Sequence, residues 1–228
     1  MILGCNPKSK IQNLKLLIIV CAFAYPSVAA TAPAQEPSGT ARLTFSKTLE
    51  GSTPEFEQIT VDSAGSATYD GRKLADPASP RQFRLSSSTT QKLFSLAHAL
   101  NDFKSIDLES HKKVANMGRK ILTYEANGQK SSAEFNYSVL RDAQDLAELF
   151  EKIGSVEVHI KMLEYSSKYD PLNLPQELLL VQMELNNKAL TDMDLMVPVL
   201  EQIVRNPRYL HLAQARAQDI LQRVQNSN

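Results

Sequence analysis

Leu146, Leu149, Ile153, Val156, Ile160 and Leu163 follow one another at intervals of 3, 4, 3, 4 and 3 residues. A helix with 3.6 residues per turn brings residues so spaced onto one face. The stretch from Val139 to Lys168 is therefore expected to form one helix of about thirty residues, about 45 Å long. That exceeds the width of a small domain, so the helix is expected to bridge two lobes. Val156, Val158 and Ile160 also alternate in the manner of a strand, but the seam continues on both sides of them. Gly154 interrupts the seam at a cost of about 1 kcal/mol relative to Ala, which leaves room for a kink or a break into two helices.

Everything after this helix also reads as helical. Pro175 suits the first turn of a second helix reaching Asn187, because proline lacks only an N–H that is unpaired there anyway. Thr191 is expected to cap a third helix, with Asp192 and Asp194 in its first turn. Asn206-Pro207 is expected to open a fourth, with Leu210, Ala213, Ala217, Ile220, Leu221 and Val224 on its apolar face. Helices joined by short loops pack as antiparallel hairpins. No period of 34 or 40 residues marks a repeat array.

Before the seam the period changes to two. Arg42–Ser46, Glu57–Val61, Ala67–Tyr69 and Gln82–Leu85 alternate as strands do. Gly65 supplies the positive φ that a tight turn needs, and Asp70-Gly71 is expected to end its strand. Ser86, Ser87 and Ser88 offer capping hydroxyls to a helix that reaches Asn101 and has Leu93, Leu96, Ala97 and Leu100 on one face. Asn127-Gly128 stands between Lys120–Tyr124 and Ala133–Tyr137 and signals a second hairpin. The expected fold class is α+β: a small antiparallel sheet with packed helices over residues 42–153, then an α-helical C-terminal lobe over 154–228.

The first thirty residues stand apart. Lys8, Lys10 and Lys15 are their only charges; Leu16 to Ala24 is apolar, and Ser27-Val28-Ala29-Ala30 offers the small residues a signal peptidase reads. This pattern predicts a secretory signal, residues 1–30, cleaved after Ala29 or Ala30. The apolar run of about ten residues is too short for the ~20 that span a bilayer. Cys21 follows Val20 where a lipoprotein signal places Gly, Ala or Ser, so lipid attachment is not expected. Thr31–Ala41, rich in Ala, Pro, Ser and Gly, reads as a disordered linker. Cys5 and Cys21 are the only cysteines, so the mature chain would contain no thiol, disulfide or thiolate–metal site. About 190 residues are enough for an apolar core without disulfides. These features predict a periplasmic or secreted bacterial protein with no membrane span in its mature part. Its charge would be 22 basic against 25 acidic, since three of the 25 basic residues leave with the signal. That balance argues against a nucleic-acid partner.

Chemical motifs are sparse. The four histidines, His98, His111, His159 and His211, are expected to be structural or surface residues, with no carboxylate or second histidine at metal-ligand spacing and no H-E-x-x-H. Ser110 and Lys113 match Ser-x-x-Lys, but its partner motifs are absent and the stretch reads as loop. No G-x-S-x-G and no glycine-rich phosphate loop occurs. Asp192-Met193-Asp194 begins like a calcium loop but lacks the following Gly and the closing Glu, so helix capping is the expected role. No catalytic residue, cofactor or metal is expected. His111, Lys112, Lys113, Arg119 and Lys120 form a small basic cluster, a weak candidate for contact with an anionic partner in the envelope. Tyr69, Tyr124, Phe135 and Tyr137 lie on expected strands and are expected in the core or in cross-strand pairs.

Phe56, Gly65, Tyr69-Asp70-Gly71, the Leu93–Leu100 helix and Asn127-Gly128 together resemble a family of uncharacterised bacterial envelope domains, over residues 42–153. Many of its members carry Gly-x-Cys-Pro where this chain has Gly51-Ser52-Thr53-Pro54. The resemblance implies a fold and a compartment and no activity. The expected function is a non-catalytic binding or interaction module with an unknown protein or envelope partner. The alternatives are a small periplasmic hydrolase with a dispersed site, such as His111 with a distant carboxylate, or a protein that assembles through its long helix.

Overall fold

The computed structural model describes residues 40–226. The expected signal, its cleavage site, both cysteines and nearly all of the linker lie outside them. All described residues belong to one compact unit. The fold is α+β, with the helices of the C-terminal part following the sheet.

The alternating segments form the strands β1 (Arg42–Thr48), β2 (Phe56–Asp62), β3 (Ser66–Arg72), β4 (Arg81–Arg84), β5 (Arg119–Ala126) and β6 (Gln129–Phe135). They pair antiparallel in the order β4-β3-β2-β1-β5-β6. Two turns fix the register. Gly65 adopts φ 84°, and Asp62 Oδ1 accepts hydrogen bonds from the N–H groups of Ala64 and Ser66. Asn127 and Gly128 both have positive φ (53° and 72°), the combination that matches the twist of a two-residue hairpin. β3 runs on through Gly71 to Arg72, so Asp70-Gly71 does not end it.

Alternation sorts the two faces of the sheet. Leu43 and Phe45, Ile59 and Val61, Ala67 and Tyr69, Leu122 and Tyr124, Ala133 and Phe135 point inward and are buried. The other face has threonines and serines, with Thr44 and Thr60 joined through their hydroxyls at 3.1 Å. Helices α1 (Ser87–Ala99) and α2 (Arg141–Tyr169) cover the inner face. Ser86 caps α1, its side chain accepting from the Thr89 N–H, and the helix stops at Ala99, just short of the expected Asn101.

α2 is continuous over 29 residues, about 43 Å at 1.5 Å per residue. Gly154 neither breaks it nor yields to the strand reading of Val156–Ile160. The whole seam is buried, but against two different cores. Leu146, Leu149, Phe150 and Ile153 pack in the sheet core, with the Phe150 ring stacked on Phe45 at 5.2 Å. Val156, Ile160 and Leu163 pack in a second core with α3 (Leu174–Asn186), α4 (Val197–Arg205) and α5 (His211–Gln225).

Two expected helix starts differ from the structure. Thr191 caps nothing; Asp192 takes a left-handed conformation (φ 51°) and leads into a short 3-10 turn, Met193–Met196, before α4. The helix expected from Asn206-Pro207 begins four residues later, at His211. Asn206 Oδ1 accepts from the Arg208 N–H in a local turn, and Leu210 is exposed instead of facing the core. An Asx turn and a helix N-cap use the same side-chain oxygen, so the sequence alone does not separate them.

Since α2 supplies a wall to both cores, the two are expected to unfold together. Phe150→Ala should destabilise by about 3–5 kcal/mol and Leu163→Ala by about 2–5 kcal/mol. Urea unfolding followed by circular dichroism checks this: both variants should lower one shared transition.

Candidate functional site

The inner face of the sheet changes character at one end. Past the apolar rows, the cross-strand register sets Glu57 beside Lys47 and Gly71, and Lys47 beside Lys120. The sheet-facing line of α2 is polar at the same level. Lys47 Nζ donates to Glu151 Oε1 at 2.8 Å, and Arg81 donates to Glu157 Oε2 at 2.7 Å. Glu57 Oε1 lies against Gly154, where a Cβ would overlap it, and the Tyr69 hydroxyl lies against Gly71 in the same manner. Burial pushes Glu57 up to about 7, with Lys47 opposing, and Glu157 up to about 6, with Arg81 opposing. Burial, with Glu57 and Glu157 adding to it, also raises Tyr69 and keeps its phenol protonated.

Shifted carboxyls often mark active sites, but structural ion pairs shift them too. This row lies between layers, with ion pairs to Lys47 and Arg81. Its carboxyls line none of the clefts at the hairpin, the outer sheet face, α4 or the α1–α5 junction.

A more accessible arrangement lies at the tip of the β5–β6 hairpin. After α1 the chain makes a turn in which Asn101, Asp102 and Phe103 all have positive φ (55°, 51° and 63°), as does Ser105 (52°). A left-handed turn costs roughly 1–2 kcal/mol per L-residue, least for Asn and Asp. It is fixed by the burial of Phe103, by Asn101 Nδ2 donating to the Lys104 carbonyl, and by the Ser131 hydroxyl donating to the Asp102 carbonyl. Beside this turn opens a cleft of about 510 Å³ lined by Asp102, Lys104, Tyr124, Asn127, Lys130 and Ser131, among others. Asp102 Oδ1 and His98 Nδ1 are 2.6 Å apart, and the His98 ring meets Tyr124 edge-on at 5.6 Å. Burial, with the Asp102 charge adding to it, raises the Tyr124 phenol. Lys104 and Lys130 supply cations, and Asn127 and Gln129 supply amides.

The expectation that no histidine has a carboxylate at helical spacing is overturned. Asp102 follows His98 by four residues, and Asp107 precedes His111 by four, with His111 Nε2 and Asp107 Oδ2 2.7 Å apart. The hydrogen bond to Asp107 raises His111, and the same bond lowers Asp107. His159 is buried, with Nε2 3.3 Å from Glu184 Oε2, and ties α2 to α3. His211 contacts Gln214.

The five residues of the basic cluster do not converge. His111, Lys112 and Lys113 are exposed on the loop before β5. Arg119 and Lys120 are consecutive in β5 and therefore point to opposite faces. Arg119 donates two hydrogen bonds to the Glu134 carboxylate (both 2.6 Å) on the outer face. Lys120 is buried, donates to the carbonyls of Met117 and Asn136, and is lowered by burial. Ser110, of the Ser-x-x-Lys match, donates to Glu109 Oε1. Asp192 caps no helix; its Oδ1 accepts from the Thr89 hydroxyl at 3.1 Å. Tyr69, Tyr124 and Phe135 are core residues, while Tyr137 is half-buried. Among the described residues no three His, Cys, Asp or Glu side chains group as a metal site, and no helix is long and apolar enough to cross a membrane.

No protein-family model and no curated protein matches the chain.

Ser131→Ala would leave the Asp102 carbonyl without its side-chain donor. It should cost about 1 kcal/mol and speed amide exchange at residues 101–105 relative to β5, measured by hydrogen exchange.

Proposed function

We propose that this chain is an exported bacterial binding module of the periplasm or cell surface, and that it grips a small ligand bearing an anionic group in the cleft at the β5–β6 hairpin. The observation that carries the reading is the left-handed turn Asn101–Phe103 at the rim of that cleft. Strained backbone persists where surrounding structure holds it, and it clusters at ligand clamps. Around the turn, Lys130 and Lys104, whose Nζ is 3.5 Å from Asp102 Oδ2, offer positive charge, Asn127 and Gln129 offer donors, and Tyr124 offers an aromatic surface, on a cavity of small-ligand size. The export signal of residues 1–30 and the resemblance to envelope domains support the compartment. The absence of a complete nucleophile–base set in the sequence supports a non-catalytic role.

The hydrolase alternative has one observation in its favour. Asp102 is placed to orient the His98 imidazole, as a carboxylate orients a general base. The serine of the cleft wall, Ser131, has its hydroxyl engaged with the Asp102 carbonyl instead of with His98. The assembly alternative loses the long seam as its docking strip, because that seam is filled by the chain's own cores.

A thermal-shift comparison tests the binding reading with benzoate and phenyl phosphate as probes and benzyl alcohol as the uncharged control. An anionic probe at a hundred times its Kd should stabilise the protein by about 2.7 kcal/mol, and a Lys104→Ala/Lys130→Ala double variant should lose most of that gain. Equal shifts in wild type and double variant would remove the cleft from consideration. Turnover in a hydrolase screen that disappears in His98→Ala would favour the enzyme instead.

A further inference from the structure

Three buried polar atoms without a hydrogen-bond partner, Glu57 Oε1, Tyr69 Oη and Glu157 Oε1, occur in the layer where α2 crosses the sheet. Tyr69 and Glu157 are 4% and 1% exposed. Glu157 sits near the middle of α2, the helix that both cores share, and Glu57 meets that helix at Gly154. The groups around them are Lys47 on β1, Tyr69 and Asp70 on β3, Arg81 on β4, Lys120 on β5, and Glu151, Glu157, Lys161 and Glu164 on α2. Lys47 is taken by Glu151, and Arg81 by Glu157. Asp70 accepts from Arg72, and Lys161 donates to the Gly71 carbonyl. No cation in the layer makes a hydrogen bond to Glu57. Its carboxyl meets the backbone of α2 at Gly154, which has no side chain to shield it.

We infer that Glu57 is a proton-operated latch: with its carboxyl protonated, α2 lies closed on the sheet at Gly154, and loss of the proton loosens that contact. An ionised oxygen with no donor, pressed on a helix backbone, is destabilised by desolvation far more than a neutral carboxyl is. Opening the layer hydrates the charge. The pH window follows from the shift. In the closed layer Glu57 titrates at about 7, against the ordinary 4.5 of an exposed glutamate, and Glu157 at about 6 works in the same direction. A raised carboxyl favours the closed state fully below pH 4.5 and loses that contribution as pH climbs to about 7. The latch is therefore tight in mildly acidic surroundings and loose at neutral pH and above. Because α2 also walls the second core, the loosening reaches the contacts of α3, α4 and α5 with that helix.

Amide hydrogen exchange on the purified protein at pH 5 and pH 8, corrected for the intrinsic rate, tests this. Amides of residues 150–161 should open on the order of 10- to 100-fold more readily at pH 8, with those of β1 and β5 changing much less. Glu57→Gln, which keeps the shape and removes the titration, should abolish most of the difference. Unchanged protection in the wild type between the two pH values overturns the inference without any variant, as does an equal change throughout the chain. A Glu57→Gln protein that keeps the full wild-type difference overturns the assignment to Glu57.

Discussion

The seat of α2 on the sheet is the contact on which the rest of the molecule depends. Its N-terminal half is anchored by apolar burial, centred on Phe150 stacked over Phe45 of the central strand. Its middle is held by charge, through Lys47–Glu151 and Arg81–Glu157. Its C-terminal half belongs to another core altogether. If this helix came away along its whole length, each core would lose one wall of closely packed side chains. Partly exposed ion pairs add little net stability, but removing Arg81 would leave the enclosed Glu157 carboxylate without its partner. The polar middle therefore fixes where α2 sits more than how strongly it binds. Gly154 lies against the Glu57 carboxyl, and its missing side chain makes room for that group.

The hairpin cleft is built differently, on backbone geometry. The left-handed turn sends the chain from the end of α1 back across the mouth of the β5–β6 hairpin, where Ser131 catches it. That course brings His98 from a helix, Asp102 from the turn and Tyr124 from a strand within contact of one another. Such a meeting of three element types is how a rigid scaffold presents side chains to a ligand. The reading of this cleft as a binding site is our proposal. It and the latch beneath α2 use different residues, so each stands or falls separately.

Several features were legible from single residues and short periods. Gly65 and Asn127-Gly128 mark the hairpins because few other residues accept positive φ. The Ser86 cap follows from the unpaired N–H groups at a helix start. The candidate site was only half legible. His98 and Asp102 stand four apart in the sequence, a visible spacing, but the helix between them ends at Ala99, so helical geometry alone does not predict their contact. Asn101-Asp102 tolerates a left-handed turn, yet nothing local requires one; the burial of Phe103 and the reach of Ser131 do. The basic cluster erred for a related reason. Residues close in sequence on a strand alternate between faces, so Arg119 and Lys120 were bound to part.

By itself, then, the order of residues determined the period of each segment: two in the strands before Tyr137, about 3.6 in α1 and after Tyr137, with many of the break points set by Gly, Pro, Asn and Ser. Those are properties of a few neighbouring dihedral angles, and they hold where packing does not override them, as it does at Thr191 and Asn206-Pro207. Only the tertiary structure decided which charges were to be buried. Glu57, Lys120 and Glu157 look like solvent-facing residues of their strands and helix until the register of six strands and the path of α2 enclose them. Burial is a property of the whole packed chain, and so are the shifted carboxyls and the unpartnered oxygens that follow from it.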